Sequence, residues 1–161
     1  MELEKLLKPA KKPVIVTMGN ELRGDDAVGV EIGKQLSKVV PQEYLINAHN
    51  VPANFIGKIA KENPDLVLFV DAIDANLEPG DIILYTSDQI IETENSTTHY
   101  QEASILLAFL EKEVETFPEI HYLGIQIKEI EPFTEISTEV RHAMDKVIAA
   151  FSGIRRLTPE D

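Results

Sequence analysis

The sequence predicts an α/β fold: a three-layer sandwich in which helices cover both faces of a mostly parallel, twisted sheet of about five strands. Three observations lead there. Short β-branched apolar runs end at Gly or Asp, as in 13–18 and 66–70. Segments with helical spacing of apolar residues separate these runs, and such alternation favours parallel strands joined by crossovers. The 161 residues, 43% of them hydrophobic, suffice for one core. No repeat, low-complexity tract or composition shift marks a boundary, so 1–161 is expected to be a single domain.

Taken in order, residues 2–8 read as a short helix stopped near Pro9 and Pro13. Residues 13–18 read as a buried strand. From Asp26 to Val40 the apolar positions Val28, Ile32, Leu36, Val39 and Val40 recur at helical spacing, and Pro41 ends the run. Tyr44 to Ile46 is a second strand. Pro52 to Lys61 is a helix with Phe55, Ile56 and Ile59 on one face. Leu66 to Val70 is the clearest buried strand, running into Asp71.

Pro79-Gly80 marks a turn. Ile82 to Tyr85 follows as a strand, antiparallel because its connection is short. Residues 86–100 are polar, aperiodic and rich in Ser, Thr and Asn, which reads as a long loop. A helix from about Gln101 to Glu115 presents Ile105, Leu106, Ala108, Phe109 and Leu110 as its buried side. His121 to Ile127 is a further strand. Ser137 caps a last helix that runs to about Phe151, and the polar tail after Gly153 is expected to fray.

The formal charge is −13, from 15 basic and 28 acidic residues. Such a surface repels nucleic acid and anionic lipid, so neither is an expected partner. Without cysteine there is no disulfide, thiolate ligand or Cys nucleophile. No apolar run reaches membrane-span length, and the charged start Met1 to Lys8 is no secretory signal. No membrane insertion and a cytoplasmic location are expected.

The segment from Gly19 to Val30 carries the main functional signal. Two adjacent carboxylates, Asp25 and Asp26, stand beyond the carboxyl end of a buried strand, where open α/β sheets place ligands. Gly19 and Gly24 have the spacing of a phosphate loop's glycines, but acids stand where Lys and Ser or Thr belong. The chain looks built to meet a cation. Asp71 and Asp74 follow the third strand, and His99 ends the polar loop after Thr97 and Thr98. Two carboxylates and an imidazole suit zinc, nickel or manganese and leave coordination positions open.

Plainer readings stand beside these. Asp25 and Asp26 also suit the first turn of a helix. Asp74 suits a turn, and His99 suits a polar surface. Asn20 can bond its own backbone. Asp71 resists such a reading, because a carboxylate at the end of a buried strand is costly unless paired. His49 lies after the second strand, at the same predicted edge.

Gly19-Asn20-x-Leu22-x-x-Asp25-Asp26-x-x-Gly29, Val70-Asp71-Ala72 and Thr97-Thr98-His99 together resemble the hydrogenase maturation endopeptidases, peptidase family M52. Leu77-x-Pro79-Gly80 and Leu123-Gly124-Ile125-Gln126 resemble the branch serving hydrogenase-3-type and archaeal enzymes. The resemblance spans Val14 to about Ile148. It implies a protease that removes the C-terminal extension of the NiFe-hydrogenase large-subunit precursor after nickel insertion. It implies that Asp26, Asp71 and His99 contact the metal and carry catalysis. Nickel would come with the substrate, and Zn or Cd could occupy the site in vitro.

Gly19, Asn20, Asp25, Asn47, His49, Asp74 and Thr98 are the expected substrate contacts, and the chain is expected to act as a monomer. One departure stands out. Many members of the family it resembles carry an Asp after the second strand, in a segment similar to D-G-x-x-P-E-N, whereas this chain has Asn47 at the Asp position and Ala53 at the Glu position. That acid's role has lapsed or passed to His49 or Asn47. The rival function is a nickel-binding assembly chaperone that does not cut.

Overall fold

The computed structural model describes residues 2–91, 98–154 and 157, and only the backbone of residues 90, 91 and 98–102. Among these residues five strands form one sheet: β1 (Pro13–Met18), β2 (Leu45–His49), β3 (Leu66–Ile73), β4 (Ile82–Thr86) and β5 (Glu119–Gln126). Their order is β2-β1-β3-β5-β4. The first four in that row are parallel, and β4 is antiparallel to β5. The predicted α/β sandwich is therefore present.

Among the described residues six α-helices accompany the sheet: α1 (Glu2–Leu7), α2 (Val28–Leu36), α3 (Ile56–Lys61), α4 (Ser87–Ile91), α5 (Thr98–Glu113) and α6 (Thr138–Ser152). One face of the sheet packs against α1, α2 and α6 through Leu3, Leu7, Ile32, Leu36, Val147 and Phe151. The other packs against α3 and α5 through Ile56, Ile59, Leu106 and Leu110. Strand alternation distributes residues between the two cores. Ile15, Leu68 and Val70 enter the first, while Val14, Val16, Val67 and Phe69 enter the second.

Several elements differ from the expectation. The helix after β1 opens as a 3₁₀ turn, Gly24–Ala27, and α2 stops at Leu36 rather than Val40. There the Ser37 hydroxyl donates to the Lys34 carbonyl, which closes the helix one turn before Pro41. A 3₁₀ turn, Pro52–Phe55, likewise precedes α3. The 86–100 segment is not a loop throughout. The Thr86 amide donates to the Gln89 side chain and starts α4, and α5 begins at Thr98. Residues 92–97 lie outside the described residues.

On α5 the buried side is Leu106 and Leu110, whereas Ile105 and Phe109 are about half exposed. The helix is apolar on more than one face, so spacing alone could not choose the stripe. Ser137 occupies the N-cap position of α6, but its side chain makes no capping bond. Its hydroxyl is turned to Asp25 instead.

Candidate active site

Parallel pairing gathers the carboxyl ends of β1, β2, β3 and β5 at one edge. β1 leaves that edge through Gly19, at φ 153°, whose amide donates to the His49 carbonyl at 2.8 Å. A Cβ at Gly19 would stand 2.2 Å from the Asp26 carbonyl oxygen, so only glycine lets the turn fold back. That same carbonyl accepts the Asn20 amide at 3.0 Å. The Asn20 side chain accepts the Leu22 amide at 2.9 Å, the local turn expected of it.

Gly29 then seats α2 on the sheet. A Cβ there would meet the Met18 carbonyl oxygen at 1.9 Å and that of Val70 at 2.9 Å. The helix thus touches the carboxyl ends of β1 and β3 together. In consequence the 3₁₀ turn carrying Asp26 packs against β3, the strand carrying Asp71. Asp26 and Asp71 are both half-buried.

Asp71 pairs with Gly124 of β5, two residues before β3 ends. Alternation from Phe69 sends its side chain to the α3/α5 face. Its Oδ1 accepts the Ala72 amide at 2.8 Å. Beside it, Tyr85 stacks on Tyr122 at 5.3 Å, and Tyr122 stacks on Phe69 at 5.1 Å. Burial, followed by the negative charge of Asp71, pushes the Tyr85 hydroxyl well above its ordinary pKa. Tyr85 therefore remains a neutral donor at working pH. The buried Tyr122 hydroxyl has no hydrogen-bond partner among the described residues.

His99 is the second residue of α5, and its side chain lies outside the described residues, as does that of Thr98. Topology fixes which edge the helix comes from. α5 packs on α3 and on the 3₁₀ turn that follows β2. Its 16 residues end at Glu113, and β5 starts from the amino edge at Glu119. A helix rises about 1.5 Å per residue, so the amino end of α5 lies toward the carboxyl edge. Among the described residues no three His, Asp or Glu side chains are grouped to hold a metal ion.

Asp25 differs from its neighbour. It is fully buried, and its carboxylate accepts four hydrogen bonds. These come from the amides of Lys128 at 2.8 Å and Glu129 at 3.0 Å, and from the Ser137 amide at 2.6 Å and hydroxyl at 3.0 Å. Through these four bonds Asp25 clamps the β5–α6 connection to the turn after β1. Asn47 is likewise tied into the fold. Its side chain accepts the Thr17 hydroxyl at 3.2 Å and donates to the Val30 carbonyl at 3.1 Å, joining β1, β2 and α2.

Asp74 is exposed and accepts from the Gln126 side chain at 3.2 Å. Gln126 is buried, and its oxygen accepts the amides of Ala75 at 2.8 Å and Leu77 at 3.2 Å. It knits the connection that carries the chain from β3 to β4. Its signal was a polar amide closing an apolar strand, but its partners lie some fifty residues away. His49 is exposed at the carboxyl end of β2, with φ 52°. Its Nδ1 stands 3.1 Å from Glu21, which bonds Lys34 at 2.7 Å. The Lys34 ammonium holds the Glu21 carboxyl below its ordinary range, with His49 adding less.

The family model for hydrogenase maturation proteases matches residues 30–153. The chain is 38% identical over 157 residues to a Methanocaldococcus jannaschii protein named, provisionally, as a hydrogenase maturation protease, covering 92% of this chain and 90% of that one. It is 27% identical over 141 residues to the hydrogenase 3 maturation protease of Escherichia coli K12, covering 87% and 88%. A crystal structure of the NiFe hydrogenase maturation protease HycI from Thermococcus kodakarensis superposes with a TM-score of 0.78 at 27% identity, covering 97% of this chain and 99% of that one.

Proposed function

The chain belongs to the hydrogenase maturation protease family and is a peptide hydrolase; from that premise we propose that it removes the C-terminal extension of a NiFe-hydrogenase large-subunit precursor once nickel is in place. The observation that carries this reading is the seat of Gly29. It supports a common site because it holds the Asp26 turn against the strand of Asp71, at the edge from which α5 and His99 begin.

The nickel arrives as part of the substrate. Asp26, Asp71 and His99 engage it, and this fixes the scissile peptide bond beside two carboxylates. Carboxylate is a hard donor and imidazole a borderline one, a set that accommodates nickel without the thiolates this chain lacks. Water adds to the carbonyl carbon, the C–N bond breaks, and the departing amine takes a proton. One of the two carboxylates orients the water and accepts its proton, help typically worth about 10²–10⁴-fold. The chain acts as a monomer in the cytoplasm, with no nucleic acid or membrane partner. Among the described residues no helix is long and apolar enough to cross a membrane.

Side-by-side incubation of the protein with nickel-loaded and metal-free precursor tests this, read by intact mass. Loss of the extension from the nickel-loaded form alone is expected. Equal cleavage of both would remove nickel from recognition.

A further inference from the structure

Near the Asp26 turn the molecule holds two large apolar side chains in water. Phe133 is 85% exposed and Leu22 is 60% exposed. They come from separate segments joined by a hydrogen bond, Phe133 amide to Leu22 carbonyl, at 2.8 Å. Leu22 stands four residues before Asp26 and two after Asn20.

Neither residue is exposed because its backbone is loose. The Leu22 amide is held by Asn20 at 2.9 Å. The segment of Phe133 is fastened by the fully buried Asp25, through Lys128 and Glu129 on one side and Ser137 on the other. Within it the Thr134 hydroxyl donates to the Glu131 carbonyl at 2.7 Å. Phe133 itself has φ 61°, a left-handed conformation that costs an L-residue free energy and that Asn or Gly adopts readily. The turn would be better served by Asn, and the side chain of Phe buries almost nothing here. The residue is thus strained, solvated and fixed beside the candidate site, a pattern associated with function.

The surroundings indicate what would cover it. Glu129, Glu131 and Glu135 on the same connection are exposed, and none forms an ion pair among the described residues. Lys128 is engaged by Glu139 at 2.7 Å. The apolar pair is therefore flanked along the chain by three exposed glutamates, with the exposed Arg23 next to Leu22, and acids are in excess. We infer that Leu22 and Phe133 form a docking surface for the part of the precursor that flanks the cut, a segment with a large apolar side chain between Lys or Arg residues. The apolar residue covers Phe133 and Leu22, and the basic residues meet the three glutamates. This inference rests on the maturation-protease reading above.

Steady-state cleavage of the nickel-loaded precursor, with thermal unfolding in parallel, tests it. Truncating an interface aromatic commonly costs tenfold or more in affinity, so Phe133→Asn and Phe133→Asn/Leu22→Asn should raise KM by about tenfold or more, with kcat changing less. The melting temperature should hold or rise, because Asn relieves the left-handed strain. A residue with only a structural role would move stability and leave KM alone. Glu129→Gln/Glu131→Gln/Glu135→Gln should flatten the salt dependence of KM. Phe117→Asn, near the amino end of β5, is the control and should match the parent.

An unchanged KM for the double variant, while the parent cleaves normally, overturns the docking surface and leaves the protease reading standing. So does a shift of the double variant from dimer to monomer in sedimentation with KM unchanged, which would assign the patch to a second copy. A parent that cuts no nickel-loaded precursor contradicts the protease reading, and the docking surface falls with it.

Discussion

Asp25 and Asp26 are adjacent in the chain, share one 3₁₀ turn, and carry the same functional group. Asp25 points into the protein, where four donors from the β5–α6 connection surround it and no solvent reaches it. Asp26 lies half-buried at the sheet edge, on a turn packed against the strand of Asp71. The side chain's surroundings therefore decide its role, and residue type alone does not. A buried carboxylate that accepts four hydrogen bonds from one connection holds that connection in place. Asp26 stands instead at the edge where open α/β sheets place their ligands.

The largest effect separating the two should come from the candidate catalytic set. Asp26→Ala, Asp71→Ala and His99→Ala are each expected to slow precursor cleavage by at least about 10²-fold, with melting temperatures near the parent's. Retained cleavage in all three would dissolve the contrast with Asp25. Asp25→Ala should do the reverse. It leaves four donors without their buried acceptor and should cost roughly 3 kcal/mol in urea unfolding. Asp25→Asn keeps part of the bonding and should fall between. A parent-like midpoint for Asp25→Ala would show that the clamp contributes nothing.

Gly29→Ala tests whether the two acids' elements must meet. The added methyl would stand 1.9 Å from a backbone oxygen, so α2 has to shift. A loss of about 1–3 kcal/mol is expected, with cleavage falling more than the folded fraction does. Activity that simply tracks stability would mean the seat is packing alone. Gln126→Ala should cost less, about 1–2 kcal/mol, by freeing the turn of Ala75 and Leu77.

The smallest effect belongs to the exposed Glu21–Lys34–His49 cluster. The Glu21 carboxyl is held below its ordinary pKa, chiefly by Lys34. Its contribution is therefore present above the ordinary carboxylate range and fades as pH falls through the lowered folded value. Exposure and salt keep it under about 1 kcal/mol. Glu21→Gln should abolish this dependence, which acid titration of stability at low and high salt would register.

Much of the architecture was legible because its signals are local. Apolar runs located β1, β3 and β5, and the helical spacing of Val28, Ile32 and Leu36 located α2. The short connection predicts an antiparallel strand at Ile82 to Tyr85, and β4 is antiparallel, but its partner is β5 and not β3, since strand order depends on pairing across the sheet. The helix Ser87–Ile91 was missed because it is short and polar. At the site, Asp26 and Asp71 could be chosen from charge at strand exits. The clamp role of Asp25 was hidden, because its partners lie 103 to 112 residues away. Ser137 misled for the same reason: it has the chemistry of a cap, but a buried carboxylate competes for its hydroxyl.

The most direct measurement sets Asp26→Asn beside Asp71→Asn, two changes that keep side-chain shape and remove charge. Each is mixed with nickel-loaded precursor and followed by intact mass spectrometry, with melting curves recorded in parallel. The account predicts that both melt like the parent while the precursor keeps its extension. Shortening of the precursor at the parent's rate by either folded variant would contradict it.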